Sequence, residues 1–234
     1  MAEFARSVVC VSGGMDSAVA ASEAALVSGE LYFLHLNYRQ RTERKELECA
    51  QALARHFAAK DMLTVDVDYL ARIGHSSLTD PGLPVEPADL HRRVIPSTYV
   101  PFRNANILSI AASWAEAIGA GAIFIGALGE DGSGYPDCRP EFFRVFQELV
   151  RAGTRPETRI EIRTPVIHLA KDGVVRRGLE LGTPFELTWS CYQAADEACG
   201  ACDSCALRLR GFARAGRRDP LPYKNIARKR AETV

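Results

Sequence analysis

Short β-branched runs alternate with longer helical patterns through the first two thirds of the chain, and this alternation is what most constrains the fold. A strand followed by a helix can pair in parallel with the next strand only if the helix crosses a face of the sheet, and repetition of the unit covers both faces. The runs predict strands over Ser7 to Val11, Leu31 to Leu36, Leu63 to Val67, Ala122 to Ile125 and Arg159 to Ile162. Helical spacing predicts helices over Ser17 to Ser28, with Ala18, Ala21 and Ala25 on one stripe, and over Thr42 to Ala59, Arg103 to Ile118, Glu141 to Arg151 and Lys171 to Leu181. Thr42 is a candidate cap, and Gly119 and Gly121 are stops. The expected class is α/β, an open and mostly parallel sheet with helices on both faces, in residues 1–187. A small cysteine-bearing segment occupies 188–234.

Composition limits the alternatives. Of 234 residues, 47% are hydrophobic and 25% charged, which excludes disordered and collagen-like chains. A chain of this length buries roughly 70% of its unfolded surface, enough for a core without staples. No run approaches the ~18 apolar residues of a membrane span, and Glu3 and Arg6 interrupt any apolar signal core. A cytoplasmic protein without membrane contact is expected.

The zero net charge conceals a split. Nine basic residues after Cys205 (Arg208, Arg210, Arg214, Arg217, Arg218, Lys224, Arg228, Lys229, Arg230) face only Asp219 and Glu232, leaving the remainder acidic. Such a tail invites a nucleic-acid reading, but Phe212 and Tyr223 are its only stacking aromatics, whereas single-stranded RNA is held largely by stacking. Solvated helix charge, or a tail packed on the acidic part of a neighbouring subunit, accounts for it, and no nucleic-acid partner is expected. Between Ala71 and Pro101, five prolines in a stretch of little periodicity read as a functional lid.

The first strand runs into Ser12-Gly13-Gly14-Met15-Asp16-Ser17 and then an alanine-rich helix. Paired glycines let backbone N–H groups approach an anion, and the helix N-terminus adds its positive end. Ser12 and Ser17 are hydroxyl donors to phosphate, and Asp16 is a ligand for Mg²⁺ bridging the same oxygens. The spacing and lysine of a Walker A loop are absent. The second strand ends at Leu36-Asn37-Tyr38, on the ligand edge of an open sheet, so Asn37 and Tyr38 are candidate nucleotide-pocket walls. His35 reads as a satisfied core residue.

Cys191, Cys199, Cys202 and Cys205 lie within fifteen residues, with two CxxC spacings. In a reducing compartment this is a metal site. Four thiolates close the sphere of a structural Zn²⁺, for which an iron–sulfur cluster is the rival. After the fourth strand, Ser133-Gly134-Tyr135-Pro136-Asp137-Cys138-Arg139 offers an aromatic to stack on a flat ring, a carboxylate for an N–C–N edge and a guanidinium for a carboxylate or carbonyl. A Pro/Gly turn with a surface ion pair fits it equally well.

SGGMDS resembles the SGGxDS loop of the N-type ATP pyrophosphatase (PP-loop) superfamily, whose fold is adenine nucleotide alpha hydrolase-like. The resemblance implies ATP binding by Val11, Ser12, Gly13, Gly14, Met15, Asp16 and Ser17, and cleavage between the α- and β-phosphates. SGYPDCRPEF, Tyr99-Val100-Pro101 with Arg103-Asn104, Thr188 to Tyr192 and CGxCxxC together resemble the QueC family, the 7-cyano-7-deazaguanine synthases of queuosine and archaeosine base biosynthesis. This implies a zinc-containing ligase, usually a homodimer, that converts 7-carboxy-7-deazaguanine, ammonia and ATP to the nitrile through adenylated carboxylate and amide. Asp16, Ser17, Arg103 and Lys171 are then the expected catalytic groups, Tyr135, Asp137 and Arg139 the expected substrate contacts, and ammonia comes from solution or a partner. The family's usual glycine is replaced by Phe102, and Gly126-Ala127 is followed by the unusual Leu128 to Gly132. A relative that transfers the activated deazapurine to another amine, or a PP-loop tRNA-modifying enzyme, is the alternative.

Overall fold

Val8 and Val9 are successive residues of one strand, so their side chains leave opposite faces of the sheet, yet neither is exposed to solvent. Both faces are therefore covered, and burial of each valine contributes about 1.5–3 kcal/mol. The computed structural model describes residues 2–92, 94–129 and 134–224. Within them, β1 (Phe4–Cys10), β2 (Ser28–Asn37), β3 (Asp61–Asp66), β4 (Ala122–Ile125) and β5 (Glu161–Arg163) form one sheet in the order β3-β2-β1-β4-β5. Every pairing is parallel. The chain winds outward from β1 in one direction and returns to its other side at β4, so the β1/β4 junction is the switch point where an open α/β sheet leaves a crevice.

One face of the sheet is covered by α1 (Met15–Val27) and α2 (Glu43–His56), and a core of Val9, Phe33, Ala18, Ala21, Ala24, Ala50 and Leu53 lies between. The opposite face is covered by α4 (Arg103–Ile118) and α5 (Pro140–Gly153), around Val8, Leu34, Leu108, Ala111, Phe143 and Phe146. The short α3 (Tyr69–Ile73) precedes α4 in the chain. Outside α1, α6 (Lys171–Glu180) and α7 (Asp203–Arg214) pack on Val19 and Phe185, making a further layer.

Several expectations are corrected in detail. In α1 the inward stripe is Ala18, Ala21 and Ala24, with Ala25 exposed, and Val19 is buried as well because α1 is covered on a second side. Thr42 does not cap α2; its hydroxyl donates to Glu46 Oε1 at 2.7 Å. His35 is only half satisfied: Nδ1 meets the Val11 carbonyl at 2.8 Å, and the buried Nε2 has no partner. The third strand begins two residues earlier than the β-branched run, at Asp61, and α3 takes in the first residues of the segment read as a lid. The rest of that segment is anchored, since Ser76, Ser77, Leu78, Thr98 and Val100 are buried and Arg41 reaches the carbonyls of Ser77, Asp80 and Leu83. At the β5 margin the Gln147 side chain of α5 accepts from Ile162 N at 2.7 Å and donates to Ile160 O at 2.9 Å.

Candidate active site

The SGGMDS turn leaves β1 at the switch point, and glycines let the chain close around it. Gly13 has φ +82°, and a Cβ there would fall 2.4 Å from the Glu46 carbonyl of α2. Gly126, just past β4, faces the same loop: its Cβ would sit 2.4 Å from the Asp16 carbonyl and 2.6 Å from Ser17 N. The two loops are thus in backbone contact, which no larger residue permits. Ser17 Oγ donates to the Gly14 carbonyl at 2.9 Å and accepts from Ser12 N and Oγ, and Ser12 Oγ also accepts from Gly14 N. This short ladder holds the N-terminal turn of α1 open as an anion cradle.

Asp16 points to Lys171, the first residue of α6, whose Nζ lies 2.9 and 2.8 Å from the two carboxylate oxygens. Lys171 is buried, and its own place depends on Gly211 of α7, where a Cβ would come within 2.8 Å of Lys171 Cγ. Val11, Ser12, Gly14, Met15, Asp16, Ser17 and Lys171 line one cavity. Tyr38, Arg103 and Tyr135 line the same cavity, together with Glu46, Tyr192 and Trp189.

Arg103 opens α4 and donates to Tyr38 Oη at 2.8 Å, with its guanidinium 5.3 Å from that ring. Burial alone would lower its pKa, but the phenols of Tyr38 and Tyr135, then Cys138 and Tyr192, hold it raised. Burial pushes the Tyr38 phenol up to about 12, and Tyr135 and Tyr192 are raised by burial as well. All three therefore enter neutral-pH chemistry as uncharged hydrogen-bonding groups around a permanent cation.

Four expected residues are not part of the cavity wall, the first being Gly13, which packs on the Glu46 carbonyl of α2. Asn37 donates to Asp66 Oδ1 across the β2/β3 pair at 2.9 Å and is not part of the cavity wall. Asp137 is buried beside the start of α4, where Oδ2 accepts from Asn104 N at 2.9 Å and its carbonyl accepts from Asn104 Nδ2. Its Oδ2 satisfies an orphan donor of the helix N-terminus, and the residue is not part of the cavity wall. Arg139 is exposed at the N-cap of α5, away from the wall. Of that motif it is Tyr135 and Cys138 that line the cavity.

The four cysteines converge, with all sulfurs within 4.8 Å of one another and Cys199 Sγ 3.9 Å from Cys205 Sγ. One tetrahedral ion at 2.3 Å from each sulfur needs separations of about 3.8 Å, so the set fits a single metal ion. Backbone N–H groups of Gln193 and Cys199 point at Cys191 Sγ, and those of Ala201 and Cys202 at Cys199 Sγ. The thiols of Cys202 and Cys205, and then the N–H groups of Cys199 and Gln193, hold Cys191 below the usual thiol range. This knot is tied to the anion loop, because Trp189 N donates to the Gly13 carbonyl at 2.8 Å.

A model of the family described as "Queuosine biosynthesis protein QueC" matches residues 6–216. The chain belongs to the QueC family. It is 56% identical over 219 residues to the 7-cyano-7-deazaguanine synthase of Chloroherpeton thalassium, covering 94% of this chain and 97% of that protein. To the synthase of the same name from Halobacterium salinarum (strain ATCC 29341 / DSM 671 / R1) it is 53% identical over 218 residues, covering 93% and 95%. A 4-thiouridine synthetase solved with RNA and bound ATP shares the fold, with a TM-score of 0.52 and 19% identity over 98% of this chain; this chain spans 50% of that one.

Two features of this QueC protein escape the motif. Arg208, read in sequence as solvated helix charge, is fully buried: it grips Asp219 at 2.8 and 3.0 Å and donates to Thr188 Oγ1 at 2.7 Å and the Phe185 carbonyl at 3.2 Å. Arg214, Arg217 and Arg218 are exposed, and Arg228, Lys229 and Arg230 lie outside the described residues, as does most of Leu128 to Gly132. The second feature is Phe102. It holds φ +59° and ψ +24°, the left-handed geometry that suits the family's glycine, and remains 61% exposed.

Proposed function

We propose that this QueC protein is an ATP-dependent ligase that converts 7-carboxy-7-deazaguanine and ammonia to 7-cyano-7-deazaguanine by two successive adenylations. The observation that carries this reading is the meeting of the anion loop, Asp16 with Lys171, and Arg103 with its phenols in one cavity at the β1/β4 junction. A carboxylate resists amine attack because oxide is a prohibitive leaving group. Adenylation makes AMP the leaving group, and an amide adenylated on oxygen loses AMP to leave the nitrile.

In this scheme Ser12, Ser17 and the N–H groups of the loop receive the pyrophosphate as charge develops on it. Lys171 holds Asp16 toward that charge and supplies a cation of its own. Mg²⁺ fits beside Asp16, whose two oxygens keep free lone pairs, and when bound supplies charge neutralisation to the phosphates. Arg103 grips the carboxyl-derived oxygen, and Tyr38, Tyr135 and Tyr192 flank the flat heterocycle.

The metal is read as Zn²⁺ in a closed, structural site, since Cys191, Cys199, Cys202 and Cys205 leave no open position. Among the described residues no helix is long and apolar enough to cross a membrane. The free thiols fit a cytoplasmic enzyme. On α5, Val145 and Leu149 are exposed beside the half-buried Phe142, and exposed Phe102 extends the patch through a ring contact with Phe142 at 6.2 Å. A second copy of the chain covering this apolar patch is the homodimer we propose, with small molecules rather than nucleic acid as the other partners.

The test is purified protein with ATP, Mg²⁺, ammonium and 7-carboxy-7-deazaguanine, followed by mass spectrometry. Nitrile with AMP is expected. AMP with amide as the end product, or AMP only when tRNA is added, overturns the reading.

A further inference from the structure

Among the described residues two acids line the cavity, and only Asp16 is in ion-pair contact with a cation. Asp16 is held on both oxygens by Lys171. Glu46, in the first turn of α2, accepts from Thr42 Oγ1 at 2.7 Å on one oxygen and from Gln40 Nε2 at 3.1 Å on the other. Both donors are neutral, and no described residue forms an ion pair with it; His35 and the Arg103 guanidinium act on it only through space. The donors are themselves fixed, because Gln40 Oε1 accepts from Tyr38 N at 2.9 Å and Thr42 Oγ1 lies 3.3 Å from the Cys191 carbonyl. Leu34, Leu36, Leu78 and Ile107 make the nearby wall apolar. A carboxylate so placed is costly unless a cation comes into contact with it, and burial raises its pKa. The cation that the ligase reaction brings is ammonium, the prevailing form of ammonia near neutral pH.

We propose that Glu46 binds ammonium in the cavity and takes its proton as the nitrogen attacks. This rests on the ligase reading above. Ammonium gives one proton to the Glu46 carboxylate, and the freed lone pair forms the C–N bond at the adenylated carboxyl carbon. The tetrahedral adduct sheds a second proton to water, and its C–O bond to AMP breaks with the electron pair leaving on the AMP phosphate. Glu46 then returns its proton to water. Arg103 holds the oxygen of the electrophile, and Glu46 holds the nitrogen of the nucleophile.

Glu46→Gln tests this in the full chain. The amide fits the same network, accepting from Gln40 and donating to Thr42 Oγ1, whose own proton turns to the Cys191 carbonyl. We expect kcat/KM for ammonium to fall about 100-fold or more, while KM for ATP and ATP–pyrophosphate exchange driven by 7-carboxy-7-deazaguanine stay near native. Hydroxylamine, already uncharged at neutral pH, restores turnover to a hydroxamate. Glu46→Asp, which keeps the charge but withdraws it, falls between the two. A native ammonium dependence in Glu46→Gln, loss of exchange together with it, or no rescue by hydroxylamine overturns the proposal. Absence of exchange in the native protein instead overturns the ligase reading.

Discussion

Lys171 Nζ lies within 2.9 Å of both carboxylate oxygens of Asp16, joining residues 155 positions apart across the α1/α6 contact. The pair fixes the one acid of the anion loop and places a cation beside the expected pyrophosphate. Asp16→Ala is expected to abolish AMP formation with metal content unchanged, read by nucleotide chromatography and elemental analysis. Lys171→Met should lower kcat by about 10²–10³, as for loss of one transition-state charge contact.

Removing the metal should reach the anion loop, because Trp189 ties the cysteine segment to Gly13. Cys205→Ser is expected to lose the metal equivalent and to weaken ATP binding in parallel, measured by elemental analysis and calorimetry. Unchanged ATP affinity in the metal-free protein would show that the two are independent.

Arg208 and Asp219 form a buried ion pair whose remaining donors are all used. Arg208→Met leaves Asp219 charged and unpaired and should cost about 3–5 kcal/mol in denaturant unfolding. An effect near zero would return Arg208 to the surface role that its sequence context indicated.

Phe102 adopts a left-handed backbone without the freedom of glycine. Phe102→Gly should therefore stabilise the chain by about 1 kcal/mol, seen as a melting temperature higher by about 2–4 °C. The same variant loses the ring that borders Phe142.

Glu46 has a folded pKa raised above its ordinary 4.5, burial being the main cause. For such a group the stabilising contribution is complete below the unfolded pKa and is lost as pH rises through the folded one. Glu46→Gln should then gain stability relative to native as pH rises above about 4.5. Melting curves at several pH values without ammonium check this.

Much of the architecture was legible because parallel strands buried on both faces announce themselves as β-branched runs, and α4 and β4 fall where the pattern puts them. The anion loop and the cysteine knot were legible for a different reason: their chemistry is local in sequence. What stayed hidden was long-range. Nothing local distinguishes Arg208 from its exposed neighbours, because its burial depends on an acid eleven residues later. Asp137 looked like a ligand group because a helix N-terminus that needs an acceptor is invisible beside it. Glu46 sits in an ordinary charged helical turn, and only the fold turns it toward the cavity. Gly126 and Gly211 had a faint signal, as glycines beside elements, but their contacts come from other layers.

The amide of Gln147 occupies the outward hydrogen-bonding groups of Ile160 and Ile162. A sheet margin served in this way has fewer free groups to offer an approaching strand. Edge-to-edge pairing on that side is disfavoured. A single glutamine, far from the chemistry, thus influences whether crowded copies of the chain remain discrete particles.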